Sequence, residues 1–323
     1  MECRTLQHTD LRVSRLSFGT MTFGSQADQA AAARMVDQCL DAGINFFDTA
    51  NMYNRGQAEI MLGQALASRR PRVILATKVR NPMGDAPDEA GLSRAAIRKA
   101  LEASLQRLGT DYVDLYYLHW PDYATPIEET LEAMDEAVRS GKVRYPAVSN
   151  YAAWQVCQIF CISEKRGYLP PYVSQPMYNL VARGIEEEYL PFAKEFGVSV
   201  VPYNPLAGGL LTGKHSPRKG PMAGTRFDNN PLYQGRYWHD DYFEAVQELG
   251  GIAGEAGKTL IELALQWLLG RDQVDSVILG ASRPEQLAED LRAAQGGRLE
   301  GATLARCDEV WKRLRGITPK YNR

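Results

Sequence analysis

Cysteine is scarce and odd in number, five residues in a chain of 323. No spacing among them reads as a disulfide framework or a zinc site. Cys157 and Cys161 fall four apart on an expected helix, where two small buried apolar side chains are preferred to metal ligands. Histidine is scarcer still, at four, so metal chemistry has few imidazoles to draw on. Neither charge dominates: 37 Lys and Arg stand against 39 Asp and Glu, a net of −2. That leaves no electrostatic footprint for nucleic acid or an anionic membrane. No apolar run reaches about 18 residues, and the first residues carry no apolar leader core. A soluble protein in a reducing, cytoplasmic setting is expected. The chain also lacks a low-complexity block or Pro/Ser linker, so residues 1–323 are expected to form a single domain.

What is present is a repeated unit, a short apolar run followed by an amphipathic segment of helical period. Runs at 15–19, 44–48, 73–78, 114–119, 143–150, 172–179, 198–204 and 276–280 precede helices expected near 27–42, 56–68, 93–108, 126–140, 151–166, 186–196, 258–269 and 284–294. Short continuous apolar runs suit strands buried on both faces, and strand–helix alternation implies parallel pairing with right-handed crossovers. Eight such units argue for α/β architecture of the closed (β/α)8 barrel kind. An open doubly wound sheet is the alternative, but the turn after its first strand would carry GxGxxG, and this chain reads FGTMTFG there. Residues 3–13 are expected to form a hairpin turning at His8–Asp10 and plugging the barrel bottom. Residues 204–257 read as a long irregular stretch after the seventh strand, of the size used for a lid or binding element.

Barrel chemistry sits where strands end. The strand ends here carry Gly19 and Thr20, Asp48, Lys78, His119, Ser149 and Asn150, Gln175, Tyr203 and Gly280. Asp48 alone could cap the next segment, Tyr53 could be packing, and His119 could be an interior hydrogen-bonded histidine. Asp, Lys and His on three consecutive strand ends are harder to explain that way, because charges at a barrel mouth must be paired or used.

The segments DTANMY (48–53), ATK (76–78), YLHWPD (117–122) and VSN (148–150) resemble signatures of the aldo-keto reductases. The resemblance runs from about Leu16 to the C-terminus. Within that superfamily PDYATPIEETL (121–131), SNYAAWQV (149–156), YNPLAGGLLTGK (203–214), GRYW (235–238) and YNR (321–323) are most similar to the aflatoxin-aldehyde and succinic-semialdehyde reductase group. The resemblance implies a catalytic tetrad of Asp48, Tyr53, Lys78 and His119, with Tyr53 as proton donor and NADPH (NADP+ after reaction) as the hydride carrier. A free phenol has a pKa of about 10, and the Lys78 ammonium is expected to favour the phenolate.

Cofactor contacts implied by the resemblance are Gly19, Thr20, Met21 and Asp48; Ser149, Asn150 and Gln175 at the nicotinamide carboxamide; and Tyr203 stacked on its ring. Asn204, Pro205, Leu206, Gly208, Gly209, Leu210 and Lys214 belong to the loop over the pyrophosphate. Arg226, Gly280, Ser282, Arg283, Gln286, Glu289 and Asp290 complete the set, Lys214 and Arg226 being the expected cations for the 2′-phosphate. Two departures stand out: Pro146-Ala147 where the family usually has Gly before VSN, and Asp290 where it often has Asn. The small-molecule carbonyl substrate is expected against Tyr53, His119, Trp120, Tyr233, Arg236 and Arg323, with Tyr237 and Trp238 as further candidates for an apolar wall. Two arginines would favour an aldehyde with a distal carboxylate. No metal, nucleic-acid or membrane partner is expected; a homodimer is expected by analogy alone. Competing readings are a non-catalytic cofactor-sensing subunit on the same fold, as in potassium-channel β subunits, and a non-redox barrel enzyme.

Overall fold

The computed structural model describes residues 1–317. Two short strands, β1 (Cys3–Thr5) and β2 (Arg12–Ser14), pair antiparallel with Cys3 opposite Ser14. Eight parallel strands follow: β3 (Leu16–Gly19), β4 (Phe46–Asp48), β5 (Ile74–Val79), β6 (Val113–Leu118), β7 (Val143–Ser149), β8 (Val173–Gln175), β9 (Ser199–Val200) and β10 (Val277–Leu279). Each neighbours its successor, and β10 returns to β3. The remaining seam is closed by a parallel bridge between Val200 and Val274, by Asp275 N–H donating to Val200 O at 2.9 Å, and by Ile278 N–H donating to Pro202 O at 3.0 Å. The sheet is therefore a ring, and the open-sheet alternative is excluded.

Every residue of β5 and β6 is buried, as the continuous apolar runs require. Alternate side chains point inward: Phe46, Ile74, Ala76, Leu115, Tyr117, Ala147, Val173, Val201 and Ile278 form one interior cluster. Leu6, Leu11 and Val13 join that cluster, so the hairpin plugs the barrel bottom as expected. His8 takes φ +56° in its turn. A second, larger cluster lies between the strands and the surrounding helices.

The helices start and stop where local chemistry says they should. Asp28 accepts from Ala31 N–H at 2.8 Å ahead of helix Gln29–Asp41. Thr259 and Glu262 exchange capping bonds at the head of Leu260–Leu269. Gly109, at φ +64°, ends Arg94–Leu108 in the left-handed region that glycine enters without steric cost.

Three helices were not expected. The stretch 204–257 is irregular only in its first half; Pro231–Tyr237 and Asp240–Glu255 occupy the rest. The first is seven residues with an Asn230 cap, too short for a periodic signal. The second buries Phe243, Val246, Leu249, Ile252 and Ala253 at helical spacing, but Gly250, Gly251 and Gly254 dilute its propensity. The third, Gly301–Arg315, buries Cys307 and Val310 along an otherwise polar sequence. The cysteine expectation also needs correcting. Cys157 is half-buried and Cys161 exposed, so they are not a buried apolar pair. Among the described residues all five cysteines are free, and no helix is long and apolar enough to cross a membrane.

Candidate active site

Parallel register brings the polar strand ends to one level: Gly19 lies beside Asp48, Lys78 beside Tyr117, and Ser149 beside Gln175. Backbone bonds pin the loops leaving those strands. Thr20 N–H donates to Asp48 O at 2.9 Å, Asn51 N–H to Lys78 O at 3.2 Å, and His119 N–H to Val79 O at 3.0 Å. Above them a cavity of about 860 Å³ runs from Tyr53, His119 and Trp120 to Ser282, Arg283, Gln286, Glu289 and Asp290 at the last barrel helix.

Asp48 and Lys78 form a buried ion pair, with Asp48 2% and Lys78 0% exposed. Lys78 also donates to Thr49 O at 2.8 Å, and Gln175 Nε2 donates to Asp48 Oδ2 at 2.8 Å. Burial pushes the Asp48 carboxyl up and the Lys78 ammonium down, and each partner opposes the other's shift. Lys78 Nζ lies 5.2 Å from the Tyr53 ring centroid, so it stands behind the cavity wall and not on it.

Tyr53 is half-buried and opens a one-turn helix, Tyr53–Gly56, in which Asn54 and Arg55 take φ +49° and +55°. Asn54 holds that turn by donating to Met21 O at 3.0 Å and Phe23 O at 2.5 Å. Gly56, at φ +86°, packs under the Arg107 side chain, which comes within 2.7 Å of where a Cβ would stand. Burial, then Asp48, pushes the Tyr53 phenol well above its ordinary value, while Arg226 draws it down. The acidifying influence expected of Lys78 is thus outweighed here: burial and the Asp48 carboxylate move the phenol further from ionisation than its ordinary value of about 10 already places it.

His119 faces Tyr53 edge-on, ring centroids 6.1 Å apart. Burial, then the Lys78 and Arg80 charges, lowers its pKa to about 3, so the imidazole is neutral. Asn81 Nδ2 lies 3.2 Å from its Nδ1, and Trp120 Nε1 donates to Asn81 Oδ1 at 3.0 Å.

Next to this group, Tyr203 OH donates to Asn150 Oδ1 at 2.8 Å, Asn150 Nδ2 to His119 O at 3.0 Å, and Ser149 Oγ to Gln175 O at 2.8 Å. Asn150 takes φ +61° to make these contacts. The glycine loop turns through left-handed residues at Asn204, Ala207, Gly208, Gly209 and Gly213. Asn204 Oδ1 accepts from Gly208 N–H at 2.7 Å. Gly208 has no room for a Cβ, which would meet the Tyr233 ring at 2.8 Å.

Most expected contacts line the cavity, including Gly19, Met21, Pro205, Leu206, Lys214, Gly280 and Gln286. Some do not. Thr20 is buried beneath Asp48, and Leu210 packs in the outer core. Tyr237 is buried with its hydroxyl on Asn179 and Asn204, and Trp238 packs on Phe227 and Phe243. Neither is a pocket wall. Arg323 lies outside the described residues. The two expected phosphate cations differ in setting. Lys214 acts on Asp290, whereas Arg226 stands over Tyr233 at 5.5 Å and its charge reaches Tyr53. Arg236 flanks the same ring at 5.6 Å. Lining residues that the sequence did not suggest include Asn81, Met52, Leu232 and Ile261. Asn81 follows Lys78 by three, a signal readable only once His119 is known to lie across from it.

A nicotinamide dinucleotide fits this cavity's donor set. The cavity lining runs from Tyr53 to Ser282 and Arg283 at a helix N-terminus, and it includes a buried Asp290 whose Oδ2 has no partner among the described residues.

The closed parallel barrel thus brings Asp48, Tyr53, Lys78 and His119 together at its C-terminal face. The Aldo/keto reductase family profile matches residues 15–312, and the chain belongs to that family. A probable voltage-gated potassium channel subunit beta of Oryza sativa subsp. japonica is 39% identical over 91% of each chain. Aflatoxin B1 aldehyde reductase member 2 of Rattus norvegicus is 38% identical over 94% of this chain and 86% of its own, and the Homo sapiens protein of that name 38% over 94% and 88%.

Proposed function

We propose that this protein reduces aldehydes to alcohols with NADPH, and that small aldehydes bearing a distal carboxylate are among its substrates. The observation that carries the reading is the meeting of a neutral phenol, a neutral imidazole and a buried Lys–Asp pair at one end of a long cavity. When bound, the reduced nicotinamide supplies a hydride to the carbonyl carbon. Tyr53 gives the proton to the carbonyl oxygen. Its phenolate is then met by the Lys78 ammonium behind the ring, which Asp48 keeps charged and aimed. His119, being neutral, contributes a hydrogen bond to the carbonyl oxygen and no proton.

Ser149, Asn150, Gln175 and Tyr203 would hold the nicotinamide, the Asn204–Lys214 loop the pyrophosphate, and Lys214 with the Arg283–Asp290 helix start the adenosine phosphate. NADPH is preferred to NADH on the strength of Lys214. Arg226 and Arg236, on either side of Tyr233, would grip the distal carboxylate. The test is turnover on acidic and neutral aldehydes of equal length with NADPH and NADH, in the wild type and in Tyr53→Phe. The variant should bind NADPH and not turn over; undiminished turnover refutes the assignment.

A second reading, a cofactor-sensing subunit without turnover, is favoured by the likeness to plant channel subunits. The complete tetrad speaks against it. NADPH oxidation on adding a nitrobenzaldehyde decides between them.

A further inference from the structure

The His119 ring is useful to a carbonyl oxygen only if its cavity-facing nitrogen carries the proton. A neutral imidazole has one N–H and one bare nitrogen, and the group hydrogen-bonded to one nitrogen determines the other. The indole of Trp120 can only donate, and it donates to Asn81 Oδ1 at 3.0 Å. That bond fixes which end of the Asn81 amide is oxygen. The amide nitrogen is then the end facing His119 Nδ1 at 3.2 Å, and an NH2 group can only donate. Nδ1 must therefore be the bare nitrogen, and the proton must sit on Nε2.

The backbone is built around this arrangement. Arg80, immediately before Asn81, takes φ +143°, a conformation that side-chain-bearing residues avoid. Its carbonyl is held by Gly91 N–H at 2.8 Å, and its guanidinium lies 5.7 Å from the Trp120 ring centroid. This turn after β5 carries Asn81 into the cavity wall between two residues of the loop after β6.

We propose that Asn81 is the positioning residue that sets the His119 tautomer, relaying the fixed polarity of the Trp120 indole through its amide so that Nε2–H is presented to the substrate oxygen. The inference rests on the reductase reading for its use, but the tautomer itself is a property of the free protein. The charged and titratable groups that face His119 are Lys78 and Arg80, both of which disfavour imidazolium, and Tyr53, which is neutral. Asp48 is paired with Lys78 and is not among the charges that shift His119. None of them contacts Nδ1, so Asn81 is the residue that decides between the two neutral forms.

The test is nitrogen NMR of the ligand-free protein labelled with 15N-histidine, the His119 signals being identified by their loss in His119→Gln. Wild type should carry the proton on Nε2 and none on Nδ1 from about pH 5 to 9, which spans the ordinary histidine range. Asn81→Asp keeps the acceptor for Trp120 but places a carboxylate on Nδ1. It should move the neutral-form proton to Nδ1 and make His119 titrate inside that window. Turnover should then fall on the order of 100-fold as pH rises past the new pKa, in kcat and with NADPH affinity unchanged, as for loss of one aimed donor. Wild-type turnover should show no such step. Asn81→Leu, which makes neither bond, should give a mixture of tautomers. A wild-type proton on Nδ1, or an Nε2–H form unchanged in both variants, overturns the proposal. Because the spectrum needs no substrate, an inactive protein with the expected tautomer would sink the reductase reading alone. An active one with an unchanged tautomer in both variants would sink this inference alone.

Discussion

Removing Lys78 should damage stability and activity by separable routes. Lys78→Met leaves the Asp48 carboxylate buried with Gln175 as its remaining side-chain partner. Breaking a fully buried pair from one side costs about 3–5 kcal/mol, because the abandoned charge keeps its desolvation penalty. For a chain of 323 residues that is roughly 4–7 °C in Tm. The cost has a sign in pH. Without Lys78, burial raises the folded-state pKa of Asp48 above its unfolded value, so the protonated form is the one the fold tolerates. The deficit should be smallest near the unfolded carboxylate pKa of about 4, and should grow as pH rises towards the raised folded value. The double variant Asp48→Asn/Lys78→Met removes both charges and should recover most of the lost stability, yet not turnover, since no ammonium then meets the Tyr53 phenolate. Thermal unfolding from about pH 4.5 to 8 together with NADPH-dependent aldehyde reduction reads both. A single variant as stable as wild type at pH 8 would mean the pair is not ionised in the fold. A double variant that turns over at the wild-type rate would mean the pair is structural only.

Two further outcomes follow from the same cavity. Burial, then Glu289, raises Asp290 to about 7, against the pull of Lys214. If the cofactor lies in this cavity as proposed, NADPH affinity should be highest below about pH 7 and should fall as this carboxyl ionises above it, because a negative charge then develops beside an anionic cofactor; Asp290→Asn should flatten that slope in a fluorescence titration, and an unchanged slope removes Asp290 from the cofactor site. Arg236→Ala should raise KM for succinic semialdehyde on the order of 10-fold or more while sparing an uncharged aldehyde of equal length, as loss of a charge-assisted bond to the distal carboxylate requires; equal effects on both aldehydes refute a carboxylate role.

The barrel strands were legible because most are short and mainly apolar, as burial on both faces favours. Asp48, Lys78 and His119 were legible for a related reason. A barrel presents its strand ends at one level, so polar residues that terminate apolar runs are brought together by the fold whatever the loops do. Legibility falls away where chain direction depends on loops. Tyr237 and Trp238 read as pocket aromatics, but a seven-residue helix turns them inward onto Asn179 and Phe227. Arg226 read as a phosphate cation from the resemblance alone; its place over the Tyr233 ring, on the wall of the same cavity, follows from the fold and could not be read from the chain.

Asn81 marks where that limit bears on chemistry. Its side chain matters because a strained Arg80 redirects the backbone just past Val79, the last residue of β5. An asparagine three residues beyond a lysine announces nothing, and propensity argues against the conformation that makes it useful. Strain of that kind persists when the surroundings hold it, and here the hold comes from Gly91, Trp120 and His119. His119 and Trp120 are distant from Asn81 in sequence and adjacent to it only in the folded barrel. The tetrad can therefore be read from the chain, but the protonation that makes His119 a donor belongs to the tertiary structure. A sequence sharing all four tetrad residues but with a different turn after β5 would carry the same reading and present a different nitrogen to the substrate.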